Sequence, residues 1–119
     1  MTYLEQFQRQ ELQRAYEEMR PAFRDQLFTG GLEQAQALVQ GLGALFFPGT
    51  DCLYEHDLTC LDFYITYAFA RLTGYDADRA EASCKCKYGT LPPMVFGAAI
   101  GICEEQFYHS FPSLRPSQD

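Results

Sequence analysis

Three residues near the middle of the chain have the types and the spacing of a metal or redox site. The segment "CLYEHDLTC" runs from Cys52 to Cys60 with His56 at its midpoint, and cysteine with histidine is a common zinc ligand set. On one helix the three side chains share a face, but a rise of about 1.5 Å per residue separates the two cysteines by roughly 12 Å. Because zinc–ligand bonds are only about 2.0–2.3 Å long, one ion can bind His56 and at most one of these cysteines.

A second pair of thiols, Cys84 and Cys86, lies in the segment "SCKCK". Residues two apart on a helix point about 200° away from each other, so both bind one metal only if the helix unwinds there. Lys85 and Lys87 surround the pair, and neighbouring positive charge lowers a thiol pKa. Cys86, or else Cys84, is therefore expected to be the most reactive thiol. The alternative hypothesis for the whole chain is a zinc- or iron-binding or redox-active protein that uses His56, Cys60, Cys84 and Cys86.

The simpler interpretation treats the cysteines as small hydrophobic side chains and needs no cofactor. Cys60 precedes Leu61 in an apolar stripe, and Cys103 lies in an apolar segment. An odd total of five cysteines suits a reducing compartment better than a set of disulfides. We expect all five to be reduced and the protein to be cytoplasmic, because the N-terminal segment also lacks the apolar stretch of a secretory signal.

No catalytic motif is recognisable in the sequence. No serine lies in the glycine pattern of a nucleophile elbow, and no glycine-rich segment has the spacing and the lysine of a phosphate-binding loop. His56 lies between Glu55 and Asp57, but helix neighbours point in different directions, so we expect a solvated histidine rather than a relay. The sequence does not support an enzyme, and a non-catalytic binding protein is the main hypothesis.

The charge balance indicates the kind of partner. Nine basic residues stand against sixteen acidic ones, for a net charge of −7. This balance argues against direct binding to nucleic acid, whose phosphates require Lys and Arg. It also argues against binding to an acidic membrane surface, and it favours a basic protein as the binding partner. The acidic side chains are dense between residues 51 and 81, where exposed tyrosine could add contact energy. The residues expected to bind the partner are Asp51, Tyr54, Glu55, Asp57, Asp62, Asp76 and Asp78.

Apolar residues recur at three- and four-residue steps along most of the chain, which predicts helices. We predict an all-α, single-domain, bundle-like fold of four to five helices over residues 1–111, followed by a flexible tail over residues 112–119. Cap-type residues suggest where helices begin; helix starts are expected at a Thr2–Glu5 capping box, at Asp57, at an Asp78–Glu81 capping box and at Thr90. The longest apolar run, residues 91–103, is shorter than the roughly 20 residues that a membrane span needs.

The last helix carries a second interaction hypothesis. Residues 94–103, "MVFGAAIGIC", are apolar on every side, as in a helix at the centre of a bundle or in an oligomer interface. Gly97 and Gly101 lie one turn apart and would allow another backbone to come close. We therefore expect either a central helix or a symmetric homodimer formed through residues 94–103.

Overall fold

The computed structural model describes residues 3–49 and 54–115, with side chains from residue 6 onward, and these ranges contain helices and no strand. The all-α prediction is confirmed. The helices are α1 (Tyr3–Glu17), α2 (Pro21–Leu27), α3 (Gly31–Phe46), α4 (Tyr54–Leu72), α5 (Ala77–Tyr88) and α6 (Pro93–Ser110), followed by a short 3-10 turn over Pro112–Leu114. The described ranges hold one helix more than the four to five expected, because the seven-residue α2 is separate from its neighbours.

Helix α4 lies at the centre of the fold and contacts α1, α3, α5 and α6. Its buried face follows the helical period: Cys60, Phe63, Tyr64 and Tyr67 are all fully buried. The Phe63 ring lies among aromatic rings of three other helices, and burying such a ring contributes about 1.5–3 kcal/mol. The central helix is thus α4, so the central position, one of the two alternatives expected for the apolar helix α6, is not observed.

Three helices begin away from their predicted caps. α4 starts at Tyr54, so Asp57 lies inside the helix and is not its N-cap. α5 is capped by Asp76, whose Oδ1 accepts a hydrogen bond of 2.9 Å from the Arg79 backbone N–H, and Asp78 therefore falls in the first helical turn. α6 starts at Pro93 rather than after Thr90, because proline is well suited to the first helical position. The Thr2–Glu5 capping box lies outside the residues described in full.

A polar network joins α2, α3 and α6. The side chain of Gln34, which is 8% exposed, accepts from the Gly30 backbone N–H at 2.7 Å. Its amide donates to Gln106 at 3.1 Å and to Ser110 at 2.9 Å, and the Ser110 hydroxyl donates to the Leu27 carbonyl at 2.7 Å. Nearly every polar atom at this junction has a partner, as buried polar groups require.

The chain remains packed against α6 beyond residue 111, where the domain was predicted to end. The 3-10 turn over Pro112–Leu114 leads to Arg115, whose guanidinium lies 3.7 Å from the Glu105 carboxylate and 5.3 Å from the centre of the Tyr108 ring. Residues 116–119 lie outside the described range, and the flexibility of the tail stays a prediction. In the described ranges no helix is both long and apolar enough to cross a membrane.

Candidate functional site

The predicted acidic face is divided between the two ends of α4. Tyr54 and Glu55 lie in its first turn, whereas Asp76 and Asp78 lie beyond its last residue. A helix of nineteen residues is about 28 Å long, so these two pairs cannot form one compact contact surface. Asp51 lies outside the described residues.

Two of the predicted docking carboxylates already have partners within the fold. The Asp62 carboxylate lies 2.6 Å from the Lys87 ammonium and accepts a hydrogen bond from the Tyr88 hydroxyl. That bond and burial raise the pKa of Tyr88 well above its usual value, burial being the larger cause. Asp76 is engaged as the N-cap of α5. Both carboxylates are thus engaged within the fold.

At the N-terminal end of α4 the structure adds Glu11 of α1 and Glu18, which follows the last residue of α1. The Tyr54 hydroxyl donates a hydrogen bond to Glu18, and the Arg14 guanidinium lies 4.0 Å from the centre of the Tyr54 ring. The bond to Glu18 raises the pKa of Tyr54, and Glu11 contributes in the same direction. We call Glu11, Glu18, Tyr54 and Glu55 the acidic α1–α4 surface. Glu11 and Glu18 were not predicted from the sequence, although a spacing of seven residues, with Glu18 directly after the end of α1, puts both on one side of that helix.

Asp57 lies beneath this surface and is unusual. Its side chain is only 2% exposed, and its Oδ2 atom has no hydrogen-bond partner within the described residues. The pKa of Asp57 is raised from 3.8 to about 6, mainly by burial and secondly by Glu11, while His56 acts in the opposite direction. Because it is buried, Asp57 cannot serve as the exposed docking residue expected from the sequence.

Asp57 lines a cavity of about 110 Å³ between α1, α3 and α4. The other lining residues are Gln8, Arg9 and Leu12 of α1 and Gln36, Val39 and Gln40 of α3. No salt bridge joins Arg9 to Asp57 in the part of the chain that the structure describes, although both line the cavity. The cavity thus brings one carboxyl group together with one guanidinium group, three amides and two apolar side chains.

The paired cysteines of α5 point in different directions. Cys84 is fully buried, with its sulfur 3.9 Å from the Phe63 carbonyl oxygen, whereas Cys86 is exposed. Burial raises the pKa of Cys84 to about 12, and Asp62 and Glu81 add to this effect. Cys84 is therefore not an activated thiol, since desolvation outweighs the flanking lysines on which that expectation was based.

The residues of the metal hypothesis are not gathered into one site. Within residues 3–49 and 54–115 no three His, Cys, Asp or Glu side chains are grouped closely enough to hold a metal ion. α5 remains helical through Cys84 and Cys86, so the unwinding that both would need does not occur. His56 is half-buried rather than solvated, with its ring centre 4.1 Å from that of Phe47, and Cys60 is buried in the core.

Thiol labelling should follow this burial pattern. We expect a water-soluble maleimide to modify Cys86 in the native protein much faster than Cys60, Cys84 or Cys103, because these three are fully buried and a buried thiol is rarely ionised. The measurement is peptide mass spectrometry of a labelling time course, with a sample in denaturant as the control in which all thiols react. Labelling of Cys84 at the rate of Cys86 would contradict the structure.

One side of α6 is exposed to solvent. Met94 is 89% exposed, and Gly97, Ala98 and Gly101 are exposed on the same side, whereas Ala99, Ile100 and Cys103 are buried. A Cβ atom added at Gly97 or Gly101 would meet no atom within 4 Å. The apolar segment is thus half covered by the fold, and the homodimer through residues 94–103 stays a prediction.

This geometry makes Gly101→Leu a test of that prediction. A Cβ atom at this exposed position meets no atom within 4 Å, so we expect leucine to leave the folded monomer intact, but it would separate two copies packed closely at this face. If the dimer forms, light scattering should give twice 13.6 kDa for the wild type and 13.6 kDa for the variant. A wild-type protein that scatters as a monomer at micromolar concentration would refute the dimer.

Comparison with known proteins adds no relative from which function could be carried over. No protein-family model matches the chain, and neither a curated protein nor a solved structure is similar to it. Its function has to be inferred from its own side chains.

Proposed function

We propose that this chain is a non-catalytic binding protein that docks on a basic protein partner through the acidic α1–α4 surface. The observation that supports the proposal is the concentration of acidic side chains around Tyr54, with the buried carboxyl group of Asp57 below them. Within the described residues no salt bridge involves Glu11, Glu55 or Asp57, whereas Asp62 is paired with Lys87. The proposal narrows the docking region expected over residues 51–81 to its N-terminal end and adds α1.

Such a surface supplies both attraction and contact area. Glutamates without basic partners attract a positively charged protein and speed its association, and the effect weakens as salt screens the charges. Tyr54 adds an amphipathic ring of the kind enriched at interface hot spots. Inhibitors, immunity or anti-defence proteins and chaperone-type adaptors are proteins of this class. We propose the cytoplasm as the compartment, on the odd number of cysteines.

The proposal predicts that removing charge from this surface weakens binding to a basic probe. We expect Glu11→Gln with Glu55→Gln to lower the affinity for a fluorescent arginine-rich peptide about tenfold at low salt, because two unpaired carboxylates are lost. The matched control is Asp78→Asn with Glu81→Gln, which removes the same charge beyond the far end of α4. The measurement is fluorescence anisotropy at several salt concentrations.

The control variant separates a docking surface from a general effect of net charge. Equal losses of affinity in the two double variants would mean that only the overall charge matters and would overturn the proposal. A larger loss in the variant at Asp78 and Glu81 would place the attraction at the other end of α4 and would also overturn it.

A further inference from the structure

The carboxyl group of Asp57 is buried without the full set of partners that a buried carboxylate normally has. A carboxylate taken out of water normally gains compensating hydrogen bonds or an opposite charge. Asp57 is 2% exposed with Oδ2 unpartnered in the described part of the chain. Among the groups around it, Glu11 of α1 opposes ionisation and His56 of α4 favours it. Arg9 of α1 also lines the cavity, without a salt bridge to Asp57 in the described residues, and the residues of α3 that line it are neutral. A cationic ligand that reaches Oδ2 would supply the pairing that Arg9 does not.

The cavity limits the size of that ligand. Its volume is about 110 Å³, whereas one water molecule occupies about 30 Å³ in the liquid, so a head group and a short stem fit. Pockets for drug-sized molecules or cofactors are several times larger, about 300–1,000 Å³. Leu12 and Val39 provide an apolar wall, and Gln8, Gln36 and Gln40 provide amide groups.

We propose that this cavity receives the cationic tip of one Lys or Arg side chain of the partner, with the Asp57 carboxylate as its counter-ion. The amide oxygens of the three glutamines are the further acceptors for the N–H groups of that tip. The methylene stem would lie along Leu12 and Val39, as long basic side chains do on apolar surfaces. This inference rests on the proposed function and assigns the recognition point within the acidic α1–α4 surface.

A side-chain cation fits the donor set better than a metal ion. Calcium takes about six to eight oxygen ligands and magnesium about six in a strict octahedron, whereas the cavity offers one carboxylate, the amides of three glutamines and the cationic side chain of Arg9. A guanidinium or ammonium group instead needs one anionic acceptor and gains from neutral ones. An uncharged ligand would leave the buried charge unpaired.

The pocket is tested with the smallest probes of this class, methylguanidinium and n-propylammonium at low millimolar concentration. Titration of the nitrogen-15-labelled protein should shift amides of Leu12, Val39 and Asp57 and saturate. Asp57→Asn should weaken this binding roughly tenfold or more, since one charge-assisted pair is lost. Asp78→Asn, which removes an exposed charge far from the cavity, should leave it unchanged. Binding to the wild type should also weaken below about pH 6, where Asp57 takes up a proton.

Three outcomes would overturn the proposal that this cavity binds a cationic side chain. The first is equal binding of the probes to the wild type and to Asp57→Asn. The second is the absence of saturable shifts at the cavity in the wild type. The third is binding that appears only in Arg9→Ala, because the protein's own Arg9 would then occupy the site. Asp57→Asn is close in shape to aspartate and removes a buried charge, so we expect it to fold; a thermal melt of the variant checks this.

The arginine-rich peptide separates failure of the pocket from failure of the proposed function. If Glu11→Gln with Glu55→Gln weakens peptide binding but Asp57→Asn does not, the proposed docking surface is supported and the proposed cation pocket is wrong. If Asp57→Asn weakens peptide binding at least as much as the double variant, both stand. If neither weakens it, both are wrong.

Discussion

Asp57→Asn is expected to stabilise the protein at neutral pH by roughly 2–3 kcal/mol. The carboxyl group has a pKa of 3.8 when solvated and about 6 in the fold, and each pKa unit is worth about 1.4 kcal/mol. Because the pKa is raised on folding, the folded state favours the protonated form. Stability from this group is therefore complete below about pH 4, falls between about pH 4 and 6, and stays lost above about pH 6. Asparagine is neutral at every pH in this range, so the variant does not lose stability as the pH rises.

The measurement is urea unfolding of the wild type and of Asp57→Asn at several pH values from about 4 to 7.5. The difference between their free energies of unfolding should be small at the acidic end and should grow to its full size by about pH 7. Asp78→Asn is the control, since its carboxyl group is exposed and should show no such growth. A difference that is constant with pH, or a destabilised Asp57→Asn, would contradict the burial of an unpaired carboxylate.

Phe63→Ala is expected to produce the largest loss of stability, about 3–5 kcal/mol. Phe63 is fully buried, and its ring centre lies 5.2 Å from Phe46 of α3, 5.1 Å from Tyr88 of α5 and 6.0 Å from Phe96 of α6. Removal of the ring would leave a cavity where four helices meet, and aromatic contacts of this kind add to the cost.

Phe69→Ala on the same helix is the matched control. Phe69 is 56% exposed, and its ring contacts Phe23 at 6.3 Å, so its loss should cost less than about 1 kcal/mol. Both variants are compared by thermal and urea unfolding followed by circular dichroism. If Phe69→Ala were as costly as Phe63→Ala, the assignment of α4 to the centre of the core would be wrong.

Local sequence was sufficient to predict the helices but not all of their ends. The 3.6-residue period predicted an apolar stripe on α4 that contains Leu61, which is buried, but it did not identify Phe63 and Tyr67, which are fully buried. The start of α4 was placed at Asp57, a residue type that caps helices well, although the helix begins a turn earlier at Tyr54. Tyr54 contacts Arg14 of α1 and Glu18 just after it, and such contacts between distant residues are not encoded in the local pattern.

The candidate site was predictable only in part for the same reason. Tyr54 and Glu55 were identified from the charge and tyrosine content of their segment, but Glu11 and Glu18 join them only through the packing of α1 on α4. The burial of Asp57 likewise depends on α3, whose residues lie on the opposite wall of the cavity. Pairs that hold the fold together, such as Arg71 with the Tyr108 hydroxyl at 3.0 Å, join residues 37 positions apart and leave no periodic trace in the sequence.

The most direct test of the proposed docking surface is a map of where a basic partner contacts the chain. Nitrogen-15-labelled protein is titrated with the arginine-rich peptide, and amide shifts are followed residue by residue. The account predicts the largest shifts at Glu11, Glu18 and residues 54–57, with smaller ones beyond the far end of α4. Shifts concentrated at Asp76–Glu81, or spread evenly over every exposed carboxylate, would contradict it.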